Sequence, residues 1–190
     1  MLTALPDPVA GAAVARSDLV RLIDAIAFAA QKHRSQRRKD EDASPYINHP
    51  IALAALLAGV AGIEDIVVLQ AAILHDTIED TDTTYDELAQ RFGEQVAGIV
   101  LAVSDDKDLE KAQRKERQVE HAALASREVA LVKLADKTCN LRDMANAPPA
   151  GWPLERRREY FAWAKRVVDR LPPVSAPLQA AFDAAYAARP

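Results

Sequence analysis

A chain of 190 residues is long enough to bury one substantial core and fits a single domain. Its formal net charge of −4 argues against a general binder of nucleic acid or membrane surfaces. Glycine and aromatic residues are scarce, which favours an all-α protein. One cysteine excludes a disulfide framework, and we see no signal peptide or membrane-length apolar run, so we expect a cytoplasmic protein.

The chain is expected to begin with a flexible N-terminal arm, residues 1–16, followed by a single domain, residues 17–190. Ser17 is a suitable N-cap for a helix whose apolar residues repeat with helical period as far as Ala30. A dense basic segment follows at residues 32–39. Taken alone, this segment indicates a solvated helix end whose charges complement the helix dipole.

The motif Pro-Tyr-Ile-Asn-His-Pro at residues 45–50 precedes a second apolar helix. Proline is favoured at the first position of a helix, so Pro50 predicts that His49 lies at the entrance of a buried helix. A histidine in that place more often caps or packs than binds a metal.

A third segment, residues 66–73, is apolar on nearly every side, which is typical of a buried helix. His75 and Asp76 follow it directly, and Glu79 and Asp80 come one helical turn later. Buried ionised groups cost several kcal/mol unless they are paired or bind a metal. The sequence therefore predicts a shared ion beside this helix.

The remaining segments are also predicted to be helical. Residues 84–93 begin with a capping box and end at a glycine, and residues 104–120 indicate a solvated loop with an exposed helix. The apolar run 129–135 suits a buried strand by composition, but no second strand is available to pair with it. We therefore expect a buried helix ending near Asp136, two further helices towards the C-terminus, and about 8–10 helices in all.

Two imidazoles and two carboxylates from three helices would form one set of nitrogen and oxygen ligands: His49, His75, Asp76 and Asp136. Such a set suits a first-row divalent ion such as Mn, Fe or Zn. An octahedral ion would keep two positions for water and a substrate oxygen. Glu79 and Asp80 are placed to accept a proton from that water.

Four motifs in order carry a resemblance to a known family: residues 37–39, 45–50, 74–81, and 132–137 with 140–142. They resemble the HD-domain phosphohydrolases, and in particular the hydrolase domain of RelA/SpoT proteins. The chain is most similar to the stand-alone small alarmone hydrolases of the metazoan-SpoT-homologue type. The resemblance extends from about Leu22 to Leu171.

The resemblance implies an all-α HD-domain bundle that holds Mn(II) and removes pyrophosphate from the 3′ position of (p)ppGpp. By position it assigns the metal ligands to His49, His75, Asp76 and Asp136, and catalysis to Glu79 and Asp80. It also assigns phosphate binding to Arg38 and Lys39 and a nucleoside contact to Asn140. The basic segment is then interpreted as part of the substrate site.

One departure from the family pattern is Thr138-Cys139, which stands where relatives have a larger pair, so the nucleoside pocket is expected to differ in shape. The chain is too short for a synthetase region, so we expect hydrolysis without alarmone synthesis. Two other functions stay open: a metal-dependent phosphatase of another 2′- or 3′-phosphorylated nucleotide such as NADPH, and a metal-occupied nucleotide sensor without turnover. A small nucleotide is the expected partner in each, and the sequence does not predict the oligomeric state.

Overall fold

The computed structural model describes residues 16–190, and these form ten helices and no sheet. The helices are α1 Asp18–Lys32, α2 Asn48–Gly59, α3 Ile66–Leu74, α4 Thr77–Asp80, α5 Tyr85–Phe92, α6 Glu94–Val103, α7 Lys111–Ala122, α8 Arg127–Asn146, α9 Leu154–Val168 and α10 Ala176–Ala187. The predicted all-α bundle is confirmed. Apart from Arg16, the expected N-terminal arm lies outside the described residues.

Helices α3 and α8 form the centre of the bundle. Seven of the nine residues of α3 are buried, as its uniformly apolar sequence predicts. Helix α3 packs against α1, α2, α6 and α8, and α8 also packs against α2, α6, α9 and α10. The apolar run 129–135 is therefore helical, and the strand that its composition also allowed does not form.

Side-chain caps fix where several helices begin. Ser17, Thr84, Ser126 and Ser175 each accept a hydrogen bond from a backbone N–H in the first turn of α1, α5, α8 and α10. Each cap satisfies one N–H that has no partner inside its helix. Two of these, Ser17 and Thr84, are positions where the sequence predicted a helix start.

Two local predictions need correction. The helix that carries the His-Asp pair is not continuous: α3 ends at Leu74, and His75 and Asp76 form a turn before the short helix α4. Helix α2 begins at Asn48, so Pro50 is its third residue and His49 lies inside its first turn. A proline is tolerated anywhere in a first turn, because those N–H groups have no intrahelical partner.

The basic segment and the motif that follows it form a folded loop between α1 and α2. Arg37 and Pro45 form an isolated antiparallel bridge, and the backbone N–H of Arg38 donates to the carbonyl of Ser44 at 2.8 Å. The N–H of Ala150 donates to the carbonyl of Lys39 at 2.8 Å. The loop is thereby joined to the end of α8. Within residues 16–190, no helix is long and apolar enough to cross a membrane.

Candidate metal centre and substrate cavity

Three buried or half-buried side chains converge where α2, α3 and α8 meet. They are His49 in α2, His75 at the end of α3, and Asp136 in α8. One ligand atom from each lies within 4.8 Å of the other two. The elements that bring them together are the most buried helices of the bundle, which holds the three side chains in a fixed relation.

The ring of His75 presents a lone pair to two carboxylates. Its Nδ1 lies 2.9 Å from the carbonyl oxygen of Ala72, so this nitrogen carries the proton and donates it. Its Nε2 is 2.9 Å from Asp76 Oδ2 and 3.9 Å from Asp136 Oδ1, yet it forms no hydrogen bond with any residue that the structure describes. Acceptors that face one another in a buried site require a proton or a cation between them.

The protonation of these groups follows from that arrangement. Burial by itself would lower the pKa of His75, but the charges of Asp76 and Asp136 raise it to about 9. Burial would raise the pKa of Asp76, and the neighbouring imidazoles hold it below its usual range instead. With no metal bound, the His75 ring is therefore protonated and carries the positive charge between the carboxylates.

Asp136 is held from three sides. His49 Nε2 lies 3.2 Å from its Oδ1, Asn140 Nδ2 donates to the same oxygen at 2.6 Å, and Lys137 Nζ is 3.0 Å from its Oδ2. Burial would raise the pKa of Asp136, but Lys137 and His49 lower it well below its usual value. Asp136 is thus ionised and points one oxygen at the two imidazoles. Neighbours of this kind orient metal ligands in proteins.

Asp76 is beside this group but not within it. Its Oδ2 accepts a hydrogen bond from the hydroxyl of Tyr46 and lies 2.9 Å from His75 Nε2. Burial and the charge of Asp76 raise the pKa of Tyr46, so the hydroxyl keeps its proton and remains a donor. The trio within 4.8 Å therefore consists of His49, His75 and Asp136, with Asp76 adjacent.

These residues fit a divalent cation. In the His75 ring, Nε2 is buried, faces the carboxylates of Asp76 and Asp136, and has no hydrogen-bond partner among the described residues. A buried polar atom without a partner costs about 1–3 kcal/mol. Imidazole nitrogens with carboxylate oxygens suit Mn, Fe or Zn better than Ca or Mg, which prefer oxygen ligands.

The predicted acidic pair lies next to this site, and its two members have different surroundings. Burial raises the pKa of Glu79 to about 7, although the backbone N–H of Asp105 donates to its Oε2 at 3.0 Å. Asp80 accepts at both oxygens, from Gln36 Nε2 at 2.9 Å and from Lys107 Nζ at 2.8 Å. Only Glu79 is therefore suited to taking and releasing a proton near neutral pH.

The three predicted substrate-binding residues line the same cavity, with different contacts. Arg38 pairs with Asp143 at 2.5 Å and lies over the ring of Tyr46. Asn140 donates its amide to Asp136, so in this structure it holds the carboxylate of a candidate metal ligand. Lys39 forms no ion pair with any described residue.

All nine predicted site residues line one cavity of about 610 Å³. Its wall also contains residues that the sequence analysis did not assign to the site, among them Tyr46, Asp105, Gln118, Lys133 and Lys137. A cavity of this size suits a small-molecule ligand. The structure thus brings the sequence-predicted residues from four separate segments into one place.

Lys133 is the most informative of the unassigned residues. It is 9% exposed, and its ammonium has one long contact, 3.4 Å to the carbonyl of Val103, with no carboxylate of residues 16–190 within 4 Å. Burial, with a smaller effect from Lys137, lowers its pKa to about 8. The sequence offered one signal for this residue: a lysine inside a run that is otherwise apolar.

The chain resembles several known proteins. Residues 25–162 match the model of the HD domain family. The guanosine-3′,5′-bis(diphosphate) 3′-pyrophosphohydrolase MESH1 of Mus musculus is 56% identical over 155 residues, which cover 82% of this chain and 87% of the relative. The protein of the same name from Drosophila melanogaster is 46% identical over 169 residues, covering 89% and 94%.

A solved structure shows the same similarity in three dimensions. It is described as a metazoan ortholog of SpoT that hydrolyzes ppGpp and plays a role in starvation responses. It superposes with a TM-score of 0.87 at 45% identity and covers 93% of this chain and 98% of its own. The bifunctional (p)ppGpp synthase/hydrolase SpoT of Escherichia coli is 39% identical over 135 residues, which are 68% of this chain and 19% of that protein.

Proposed function

Because the chain belongs to the HD domain family, we propose that it is a guanosine-3′,5′-bis(diphosphate) 3′-pyrophosphohydrolase. It cleaves (p)ppGpp with water, giving GDP or GTP and pyrophosphate. The relatives that carry this name match most of the length of both chains. A nucleotide is thus its small-molecule substrate.

The observation that carries the proposal is the lone pair of His75 facing two ionised carboxylates in a buried site. A bound divalent ion there would make nearby water more acidic and neutralise charge on a phosphate. His49, His75 and Asp136 are proposed as its ligands, with Asp76 completing the set. We propose Mn(II) as the ion, and Fe or Zn could occupy the same nitrogen and oxygen ligands.

Glu79 is proposed to accept the proton of the attacking water. A pKa of about 7 keeps a useful fraction of the carboxylate ionised at neutral pH and still lets it hold the proton afterwards. The N–H of Asp105 fixes one of its oxygens, so the other is available to water. Asp80, whose two oxygens are both occupied, is proposed to hold the wall of the site in place.

The phosphate charge of the substrate is proposed to be balanced by Arg38, Lys39 and Lys133. Arg38 is pre-oriented by Asp143, and Lys133 is a buried ammonium with no anionic partner within 4 Å in the described part of the chain. A buried cation without a partner is costly, and an anionic ligand removes that cost. Asn140 is proposed to contact the nucleoside with its carbonyl oxygen while its amide remains on Asp136.

We also propose that the protein is cytoplasmic, because its one cysteine is free and buried, as in proteins from reducing compartments. Neither nucleic acid nor a membrane is proposed as a partner.

The test of the proposed function is a comparison of substrates. Purified protein loaded with Mn is incubated with ppGpp and, separately, with NADPH, and the products are separated by anion exchange. We expect GDP and pyrophosphate from ppGpp. Orthophosphate from NADPH with ppGpp left intact would contradict the substrate assignment, and no product from either would indicate a nucleotide sensor.

A further inference from the structure

The segment that connects α6 to α7, residues 104–110, contacts both members of the acidic pair. The backbone N–H of Asp105 donates to Glu79 Oε2 at 3.0 Å, and Lys107 Nζ donates to Asp80 Oδ1 at 2.8 Å. Among the described residues, Asp105 is the only hydrogen-bond partner of the Glu79 carboxylate. The orientation of Glu79 therefore depends on where this connecting segment lies.

Gln118 fixes that segment from the neighbouring helix. Its side-chain Nε2 lies 2.8 Å from both carboxylate oxygens of Asp105. The carbonyl oxygen of the same amide, Oε1, is buried and has no hydrogen-bond partner within residues 16–190. Gln118 thus leaves one polar atom unsatisfied in order to donate to Asp105, which a residue that merely fills space would not need to do.

Helix α7 is itself anchored to α9. Trp163 Nε1 donates to the carbonyl of Lys115 at 3.0 Å, and Arg166 contacts both carboxylate oxygens of Glu116, at 2.7 and 2.9 Å. The aliphatic residues Val119 and Ala122 are buried. Gln118 therefore projects from a helix whose position is set by contacts outside the connecting segment.

We propose that Gln118 is a positioning residue of the hydrolytic reaction. It holds the Asp105 carboxylate, the Asp105 N–H holds Glu79, and Glu79 is thereby aimed at the attacking water. This inference rests on the proposed function in assigning proton transfer to Glu79. Gln118 itself touches neither the reacting atoms nor a metal ligand in this arrangement.

The contact between Gln118 and Asp105 also lies between two cavities. Asp105, Gln118 and Lys133 line both the substrate cavity and a neighbouring cavity of about 870 Å³ between α6, α7 and α8. They form the wall that separates the two spaces. Loss of the Gln118 contact removes a fixed part of that wall as well as the support of Glu79.

The first test replaces Gln118 with Leu, which keeps much of the volume and removes the donor. Misplacing the support of a catalytic group typically costs about 10- to 100-fold in activity. We expect kcat to fall by about that factor while KM changes less than about threefold and Mn content stays the same. The matched control is Gln113→Leu, at an exposed position of the same helix, which should leave kcat unchanged. An unchanged kcat in Gln118→Leu would overturn the proposal.

The second test exchanges the donor and the acceptor of the hydrogen bond between positions 118 and 105. Gln118→Glu places a carboxylate against that of Asp105, so we expect a larger loss of kcat than with leucine. Combining it with Asp105→Asn supplies an amide donor to the new carboxylate, and kcat should return to within about threefold of Asp105→Asn alone. A double variant as slow as Gln118→Glu would contradict the positioning role.

The third measurement separates this inference from the proposed function. Hydrogen exchange of the Asp105 amide reports its bond to Glu79 without any substrate, and it should be faster in Gln118→Leu than in the natural protein or in Gln113→Leu. If the natural protein leaves ppGpp intact, the proposed function fails, and the exchange rates alone decide whether Gln118 holds the segment. Equal exchange rates would overturn the inference even in an active enzyme.

Discussion

His75 shows most clearly how a single residue makes this site selective for cations. Because Ala72 takes the Nδ1 proton, the other ring nitrogen is left facing Asp76 and Asp136. A proton or a divalent ion can occupy this position, but not both together. The two must therefore compete.

The first prediction follows from this competition. Since the pKa of His75 is raised to about 9 from 6.5, the metal-free ring is protonated at neutral pH, and a metal must displace that proton. Mn affinity should rise by about tenfold per pH unit between pH 6.5 and 9 and level off above it. Calorimetric titration at several pH values checks this slope.

The free energy of unfolding of the metal-free protein should fall as the pH rises, whereas Mn affinity should rise. A raised pKa stabilises the fold below pH 6.5, and this contribution is lost as the pH rises through 9. His121→Gln, at an exposed histidine, is the control and should change neither dependence. Mn affinity that is flat from pH 6.5 to 9 would contradict the assignment of His75 as a ligand.

The second prediction separates Glu79 from the metal ligands. Glu79→Gln removes the proton acceptor while keeping the acceptor oxygen for the Asp105 N–H, so Mn content should be unchanged and kcat should fall by about 10²- to 10⁴-fold. Metal analysis and initial rates measure the two effects. Asp86→Asn, an exposed acidic residue on α5, should change neither, and an active Glu79→Gln enzyme would remove Glu79 from the proposed reaction.

The third prediction concerns Lys133. Replacing this buried lysine with methionine keeps its length and removes its charge, so the Mn-loaded protein should bind pyrophosphate about tenfold more weakly, a loss of about 1.4 kcal/mol. Lys32→Met is the matched control, because Lys32 pairs with Asp82 and Glu87 outside the substrate cavity. Equal pyrophosphate affinity in Lys133→Met and the natural protein would contradict the role of Lys133 in binding phosphate.

At the scale of the elements, Gly93 directly before α6 and Gly98 within α6 differ in the backbone conformation that each must adopt. Gly93 joins α5 to α6 with a φ of 96°, a backbone conformation that residues other than glycine rarely adopt. Gly98 lies within α6 in open space, where an added Cβ meets no atom within 4 Å. The same substitution should therefore have opposite effects at the two sites.

The fourth prediction uses that pair. Gly93→Ala should destabilise the protein by about 1 kcal/mol or more, since alanine is strained at a positive φ. Gly98→Ala should stabilise it by about 0.5–1 kcal/mol, since alanine loses less backbone entropy in a helix. Urea unfolding of the two variants gives both signs, and a loss of stability in Gly98→Ala would contradict the packing described for α6.

At the scale of the whole molecule, the sequence predicted the bundle because α3 and the run 129–135 at the start of α8 are apolar on nearly every side and can only be buried. It also singled out His75 and Asp76, because charged groups directly after such an apolar run need a reason to be there. The break at His75 and Asp76 was missed, because neither residue is a proline or glycine that would mark the end of a helix in the sequence.

Contacts between residues far apart in the chain could not be predicted from the sequence. Glu79 is reached by a hydrogen bond from Asp105, and Asp105 by one from Gln118. Along the sequence, Asp105 and Gln118 look like ordinary surface groups of a charged segment. Tyr46 was present in a recognised motif, but its bond to Asp76 depends on how the loop before α2 folds back. These contacts are set by packing, which composition and periodicity do not encode.

The central claim is that this site directs water at the phosphorus attached to the ribose 3′ oxygen with a divalent metal bound. The most direct test is hydrolysis of ppGpp in ¹⁸O-labelled water with metal-free and Mn-loaded protein, followed by mass spectrometry of both products. We expect one ¹⁸O atom in the pyrophosphate, none in the GDP, and no reaction without metal. Label in the 3′ hydroxyl of GDP, or equal turnover by the metal-free protein, would contradict it.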